Sequence, residues 1–229
     1  MRKIKFLRIN LPDGLERSYQ RMISSPFERD GQNGFEGVSY SENHIEVKFI
    51  EQTVTREQVT DPFGDTREII STRYITIDLA IYSANETNIL ILRNPPRSVN
   101  TLIKKMSAII GNGFYAALIT INIEDLGYYL NDKYKDLGLS ATKVLATNLI
   151  LDSHSTANIE LLSNSNALSE LKIHFSSPDV RIERARFSLT DHGRKSQLEV
   201  RATGTVGITG SKSKFLEEIV VDFIRSHYH

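Results

Sequence analysis

Asp30 followed by Glu46-Val47-Lys48, and Asp152 followed by Glu170-Leu171-Lys172, are the residues whose types and spacing come nearest to a reaction in this sequence. Metal-dependent nucleases of the restriction-enzyme type pair an Asp with a Glu-x-Lys step, the carboxylates holding a divalent cation and the lysine steering water or phosphate. Asp30, Glu46 and Lys48 form one such candidate set. The wet face of any alternating strand supplies the same pattern, because residues two apart share a face and a cross-strand ion pair uses the same two charges. Ion pairing is the leading explanation of Glu46 and Lys48, and the nuclease is the third-ranked function.

Other resemblances to chemical motifs are weaker. Gly111-Asn112-Gly113-Phe114-Tyr115-Ala116 spells a dinucleotide pattern, but there a strand must precede the glycines and a helix follow them. Here the order is reversed, and the glycines read as a helix stop. Gly204, Gly207 and Gly210 before Ser211-Lys212-Ser213 evoke a phosphate loop, yet Ser211 separates the last glycine from Lys212 and no G-x-x-x-x-G-K-[ST] exists. His44, His154, His174 and His192 are scattered without metal-ligand spacing, and His227 and His229 end the sequence. Asp152, Ser153 and His154 are adjacent, and neighbouring side chains of an extended chain point to opposite faces, so they make a turn rather than a triad.

Binding residues are easier to find. Arg184, Arg186 and Arg201 are expected on one outward hairpin face with Glu199, with Lys195 at the tip and Lys212 and Lys214 near the far end. That set is the candidate for tracking phosphates. Tyr128, Tyr129 and Tyr134 beside Lys133 and Lys135, and Tyr74 with Tyr82, are possible stacking platforms. Rings at helical spacing more often cover a core.

The elements that must position these residues follow from periodicity. Ile45–Val59 and Ile69–Tyr82 alternate across Asp61-Pro62-Phe63-Gly64-Asp65-Thr66, the mark of an antiparallel hairpin. The apolar residues Ile45, Val47, Phe49, Ile69, Ile75, Ile77, Leu79 and Ile81 are all odd-numbered, so paired numbers must sum to an even value. Phe49 then opposes Leu79 or Ile77, the loop is odd in length, and Glu46, Lys48, Tyr74 and Tyr82 lie on the even, solvent or partner face. A second hairpin is expected from Arg181–Leu189 and Leu198–Ile208, the even positions 198 to 208 being apolar or small. Ser98 is expected to cap a helix striped by Val99, Leu102, Ile103, Met106 and Ile110 and stopped at Gly111, and Asn122 to cap a helix through Tyr134. Lys214–His227 reads as the last helix. Strands are expected at Lys3–Asn10, Ile89–Leu92, Phe114–Ile123, Lys143–Leu151 and Leu171–Phe175, a short helix at Leu15–Ile23, and a loop over Asp30–Gly37.

Composition sets the limits. The sequence has 229 residues, 40% hydrophobic and 24% charged, the profile of a folded globular protein. It has no cysteine, which excludes disulfides, thiolate metal sites and cysteine nucleophiles and fits a cytoplasmic setting. No apolar signal core or membrane-length stretch is present. Net charge is zero but uneven: Glu28–Asp61 holds eight acidic and three basic residues, and Arg181–Lys214 eight basic and three acidic. Solvated, mutually neutralising faces explain this most simply, and engagement of an anionic partner or of an oppositely charged part of another copy is the alternative.

The expected fold is α+β, with mostly antiparallel sheets built on two long hairpins and amphipathic helices on one face. The expected halves are 1–138 and 139–229, each a hairpin followed by a capped helix in a cadence compatible with pseudo-duplication, with one continuous domain as the alternative. The expected function is a non-catalytic binding or assembly module engaging a protein partner or itself, without a cofactor. Nucleic-acid binding through the basic hairpin ranks second.

Overall fold

The computed structural model describes residues 1–29, 31–84, 87–152, 154–175, 180–191 and 193–227. The nuclease candidate Asp30, the turn residues Ser153 and His192, and His229 lie outside the described residues. In chain order the elements are β1 (Arg2–Asn10), α1 (Gly14–Ile23), β2 (Asn33–Ser41), β3 (His44–Thr60), β4 (Thr66–Ala84), β5 (Thr87–Arg93), α2 (Asn100–Ile110), β6 (Tyr115–Leu118), α3 (Ile123–Lys133), β7 (Ser140–Ile150), β8 (Thr156–Leu162), α4 (Ala167–His174), β9 (Arg181–Asp191), β10 (Arg194–Arg201), β11 (Thr205–Thr209) and α5 (Ser213–His227). The fold is α+β with antiparallel strand pairing.

Contacts gather the chain into two compact units, one of residues 9–116 and one of residues 1–8 with 117–229. The 138/139 boundary expected from sequence falls within the second unit. There Gly138, at φ +59°, only reverses the chain between α3 and β7. The start of the chain joins this unit because Arg2–Lys5 pair with Thr205–Ile208, a contact across two hundred residues that no local pattern announces.

In the unit of residues 9–116, β2, β3, β4 and β5 form a meander. The β3–β4 register runs from His44 opposite Tyr82 to Thr60 opposite Thr66, every pair having an even sum, with Phe49 opposite Ile77 and the odd-length loop 61–65 between the strands. This is the register demanded by matching apolar faces. Ile45, Val47, Phe49, Ile77, Leu79 and Ile81 are buried, together with Leu15 and Met22 of α1 and Leu102, Met106 and Ile110 of α2. β2 replaces the loop expected over Asp30–Gly37. Gly31, Gly34 and Gly37, the last two within β2, obscured the pattern, but Phe35 pairs with Phe49 at a ring separation of 5.2 Å. At Gly34 a Cβ would lie 2.3 Å from the Pro26 carbonyl oxygen, so glycine there permits backbone contact rather than a loop. α2 begins at Asn100 with Val99 in the cap position. Ser98 still accepts from the Asn100 amide at 3.4 Å. Gly111 stops the helix at φ +94°, as its position requires.

In the other unit the strand order is β1-β11-β10-β9-β7-β8. Ile4, Val206, Ile208, Leu198, Val200, Ala185, Phe187 and Val144 are buried along one face, with Leu126 and Leu130 of α3, Leu168 and Leu171 of α4, and Leu216, Ile219, Val220, Phe223 and Ile224 of α5. Arg2 reaches the buried Glu217 of α5 at 2.9 Å.

Three expectations change here. Leu198–Ile208 is two strands, not one. Gly204, at φ +73°, turns the chain, and the odd number of turn residues keeps the pair sums even, so alternation passes through the turn unbroken. Leu171–Phe175 belongs to helix α4 rather than a strand, because Asn166 caps it by accepting from the Leu168 and Ser169 amides and Ala167, Leu168 and Leu171 are buried on one side. The strand expected over Phe114–Ile123 is limited to Tyr115–Leu118, while Asn122 caps α3 as expected. No helix among the described residues is long and apolar enough to cross a membrane.

Candidate functional site: an exposed arm and a basic sheet face

The β3–β4 hairpin is longer than the sheet around it. β2 is paired with β3 only as far as Asn33 opposite Glu51, and β5 with β4 only as far as Arg93 opposite Asp78. Gln52–Thr60 and Thr66–Tyr74 therefore form a two-stranded arm with no neighbouring strand among the described residues. Its tip is well made. Asp61 accepts from the Phe63 amide at 2.9 Å and the Asp65 amide at 3.0 Å, and Gly64 sits at φ +94°. The Thr60 and Thr66 hydroxyls meet at 3.0 Å.

Alternation predicted that the odd-numbered side of this hairpin would be core along its length. It is core only at the base. Beyond Ile75 both sides of the arm are exposed, including Val54, Val59, Ile69, Ile70 at 57%, Tyr74 at 60% and Phe63 at 91%. Phe27 supports Tyr74 edge to face at 6.0 Å. An isolated two-stranded ribbon is marginal in water, and free edges beside exposed aliphatic groups are what proteins otherwise cover. The arm thus carries unflanked strand edges beside exposed apolar side chains.

The second candidate is the sheet face opposite the buried one in the unit of residues 1–8 and 117–229. Register sets Arg186 opposite Glu199 and Arg184 opposite Arg201. The structure brings these together as the sequence pattern requires: Arg186 meets Glu199 at 2.9 Å, and Arg184 and Arg201 each lie 3.9 Å from it. Sequence reasoning missed the adjoining half of this network. Arg184 also bonds Glu160 at 3.1 Å, and Lys143 bonds Glu160 at 2.7 Å, across β7 and β8. The Lys143 ammonium, with Arg184 behind it, holds the Glu160 carboxyl below the usual carboxylate range. Lys3 and Lys5, opposite Gly207 and Thr205, extend the face, so positive side chains outnumber Glu160 and Glu199 on it. Lys195, Lys212 and Lys214 form a separate group. Lys195 stands six residues along β10 from Arg201, roughly 20 Å away at strand rise. Lys212 is drawn to the same end by its amide bond to Ser196 at 3.2 Å, and Lys214 lies in the first turn of α5. Gly210 lies so close to Lys195 and Ser196 that any Cβ would clash, which accounts for this glycine without a phosphate.

The nuclease candidates are occupied by neighbours. Glu46 contacts Arg93 at 3.4 Å, and Lys48 contacts Glu36 at 3.3 Å. Glu170 and Lys172 lie on α4, where Glu170 accepts from Ser163 at 2.7 Å and Lys172 contacts Glu124 at 2.9 Å. No group of three or more His, Asp or Glu placed to hold a metal occurs among the described residues. Tyr129 and Tyr134 pack against Phe223 and Phe215 between α3 and α5, whereas Tyr128 is exposed beneath Lys172, 4.8 Å from its ring centre. The hydroxyl of Tyr128 and the Glu124 carboxylate raise the pKa of Lys172. A cleft of about 950 Å³ between α3, α4 and the start of β9 is lined by Thr120, Asn122, Glu124, Lys172, Arg181 and Glu183. It too escaped the sequence, since its walls come from four separated segments.

No family model matches the chain, and no curated protein matches it. Among solved structures, one that aligns is described as "DynU16 crystal structure, a putative protein in the dynemicin biosynthetic locus". It shares 10% identity over 95% of this chain and 91% of that chain, with a TM-score of 0.20, a likeness too low to bear on fold or function.

Proposed function

We propose that this chain is a non-catalytic binding or assembly module that docks onto a protein, either a different chain or a second copy, through the β3–β4 arm. The observation carrying this reading is that Gln52–Thr60 and Thr66–Tyr74 leave the sheet without flanking strands and expose Val54, Ile70, Tyr74 and Phe63. A ribbon of this kind gains from burial against a partner, which covers its edges and its apolar side chains together. A cytoplasmic setting belongs to the same reading, the absence of cysteine being its support.

The test is an arm-shortened variant in which an Asn-Gly turn replaces Thr53–Arg73, joining Gln52 directly to its partner Tyr74. Native mass measurement at high protein concentration, on material purified without harsh salt, should find the parent in a larger species and the variant alone. The variant should also melt cooperatively, because the buried part of the hairpin is untouched. The same number of associated chains for parent and variant would sink the reading.

Nucleic-acid binding is a second reading, favoured by one observation: Lys5, Lys143, Arg184, Arg186 and Arg201 share a face with only partial neutralisation by Glu160 and Glu199. Phosphates would have to compete with glutamates already bonded to these cations.

A further inference from the structure

We infer that the occupant of the odd-numbered face of the arm is the same face of a second copy of this chain, an inference that rests on the docking reading above. Along that face, from base to tip, the charges run Glu51, Arg73, Glu57, Arg67, with Thr55 and Ser71 paired at the midpoint. Reversing this order about Thr55 and Ser71 brings Glu51 level with Arg67 and Arg73 level with Glu57, each pair diagonal between β3 of one copy and β4 of the other. Each of these four charges then has an opposite charge at its own level. A contact across a two-fold axis has this requirement, since residue i of one copy meets residue j of the other and j meets i.

The residues between the charges suit such a contact. Thr55 and Ser71 are small, which lets two ribbons approach where each residue meets its own counterpart. Val59, Ile69 and Ile75 come opposite Glu51, Arg73 and Arg67 of the other copy and pack on their aliphatic stems. The even-numbered face lacks the pattern. Its midpoint pair is Arg56 and Ile70, so the same reversal would place Arg56 on itself, and Arg56 already lies 3.9 Å from Glu68 within one arm.

Size sets the strength. Nine residue pairs make a ribbon about 30 Å long and about 10 Å wide, so two apposed faces remove roughly 600 Å² in total, half the lower bound of ~1,200 Å² for stable specific interfaces. The association is therefore weak and concentration-dependent, and charge complementarity sets its register more than its affinity.

The absence of cysteine makes the test direct. Thr55→Cys places one thiol per chain beside the inferred axis, and a short bis-maleimide at high protein concentration should link two chains into a covalent dimer. Phe63→Cys, at the tip, puts the two thiols about 50 Å apart in this arrangement, beyond the reagent's span, and should give none. Adding Glu57→Arg to Thr55→Cys should cut the dimer several-fold, and adding Arg73→Glu as well should restore it. All these positions are exposed or half-buried, so unchanged melting is the control for folding. Dimer from Thr55→Cys no greater than from Phe63→Cys, or no restoration by the double reversal, overturns the inference. If the Thr55→Cys chain stays single while the arm-shortened variant loses a different bound protein, the second copy is excluded as occupant and the docking reading stands.

Discussion

Arg184, Arg186 and Arg201 show what single residues do in this molecule: each adopts the outward side dictated by strand parity, and each is then claimed by a glutamate. Parity was readable from the alternation of Ala185, Phe187 and Leu189 with charged neighbours. Partnership was not, because Glu160 and Lys143 come from strands β8 and β7, 24 and 41 positions before Arg184. The depressed Glu160 titration gives this network a measurable signature. A carboxyl with a lowered folded pKa adds stability at pH values above its unfolded pKa of about 4.3 and loses it as pH falls through the folded value. Lys143→Met should move the Glu160 carboxyl resonance titration upward toward the ordinary range in NMR, while Arg184→Ala should move it less, since the Lys143 hydrogen bond is the largest cause. An unchanged titration in Lys143→Met would mean that the pair is not formed in solution.

At the scale of elements, period-two alternation identified β3, β4, β9 and β10, and the register of the long hairpin followed from arithmetic on odd numbers. It failed where glycine or capping outweighed pattern. β2 is a strand despite its glycines because the sheet edge tolerates them and backbone contact at Gly34 needs one. α4 is a helix despite the apolar run at its end because Asn166 supplies the missing acceptor for two of its first amides. Asn166→Ala should cost about 1 kcal/mol, a fall in melting temperature of about 2–4 °C for a chain of this size. Asn166→Asp or Asn166→Ser should retain most of that stability, whereas equal losses in all three would show that the cap itself contributes nothing. The hairpin carries the other lesson of this scale. Alternation specifies which side of a strand can be buried, and only a neighbouring layer buries it.

For the whole molecule, zero net charge coexists with a basic sheet face, and the question is whether that face meets nucleic acid. The triple variant Arg184→Ala, Arg186→Ala, Arg201→Ala answers it. If phosphates are tracked there, the slope of log K against log salt for a generic duplex, read by fluorescence anisotropy, should shrink by about 0.9 per contact removed. A parent that shows no salt-dependent binding, or a variant with the same slope, removes nucleic acid from the account and leaves the arm as the binding surface. The α+β class, the hairpin register, the helix stop at Gly111, the cap at Asn122 and the outward set of arginines were determined by sequence alone, because each depends on side-chain period or backbone chemistry within a few residues. The extent of the arm, the pairing of β1 with β11, the glutamates that hold the arginines and the identity of α4 were decided only by tertiary structure. Burial and ion pairing depend on which distant segment arrives at a surface, and local periodicity carries no record of that arrival.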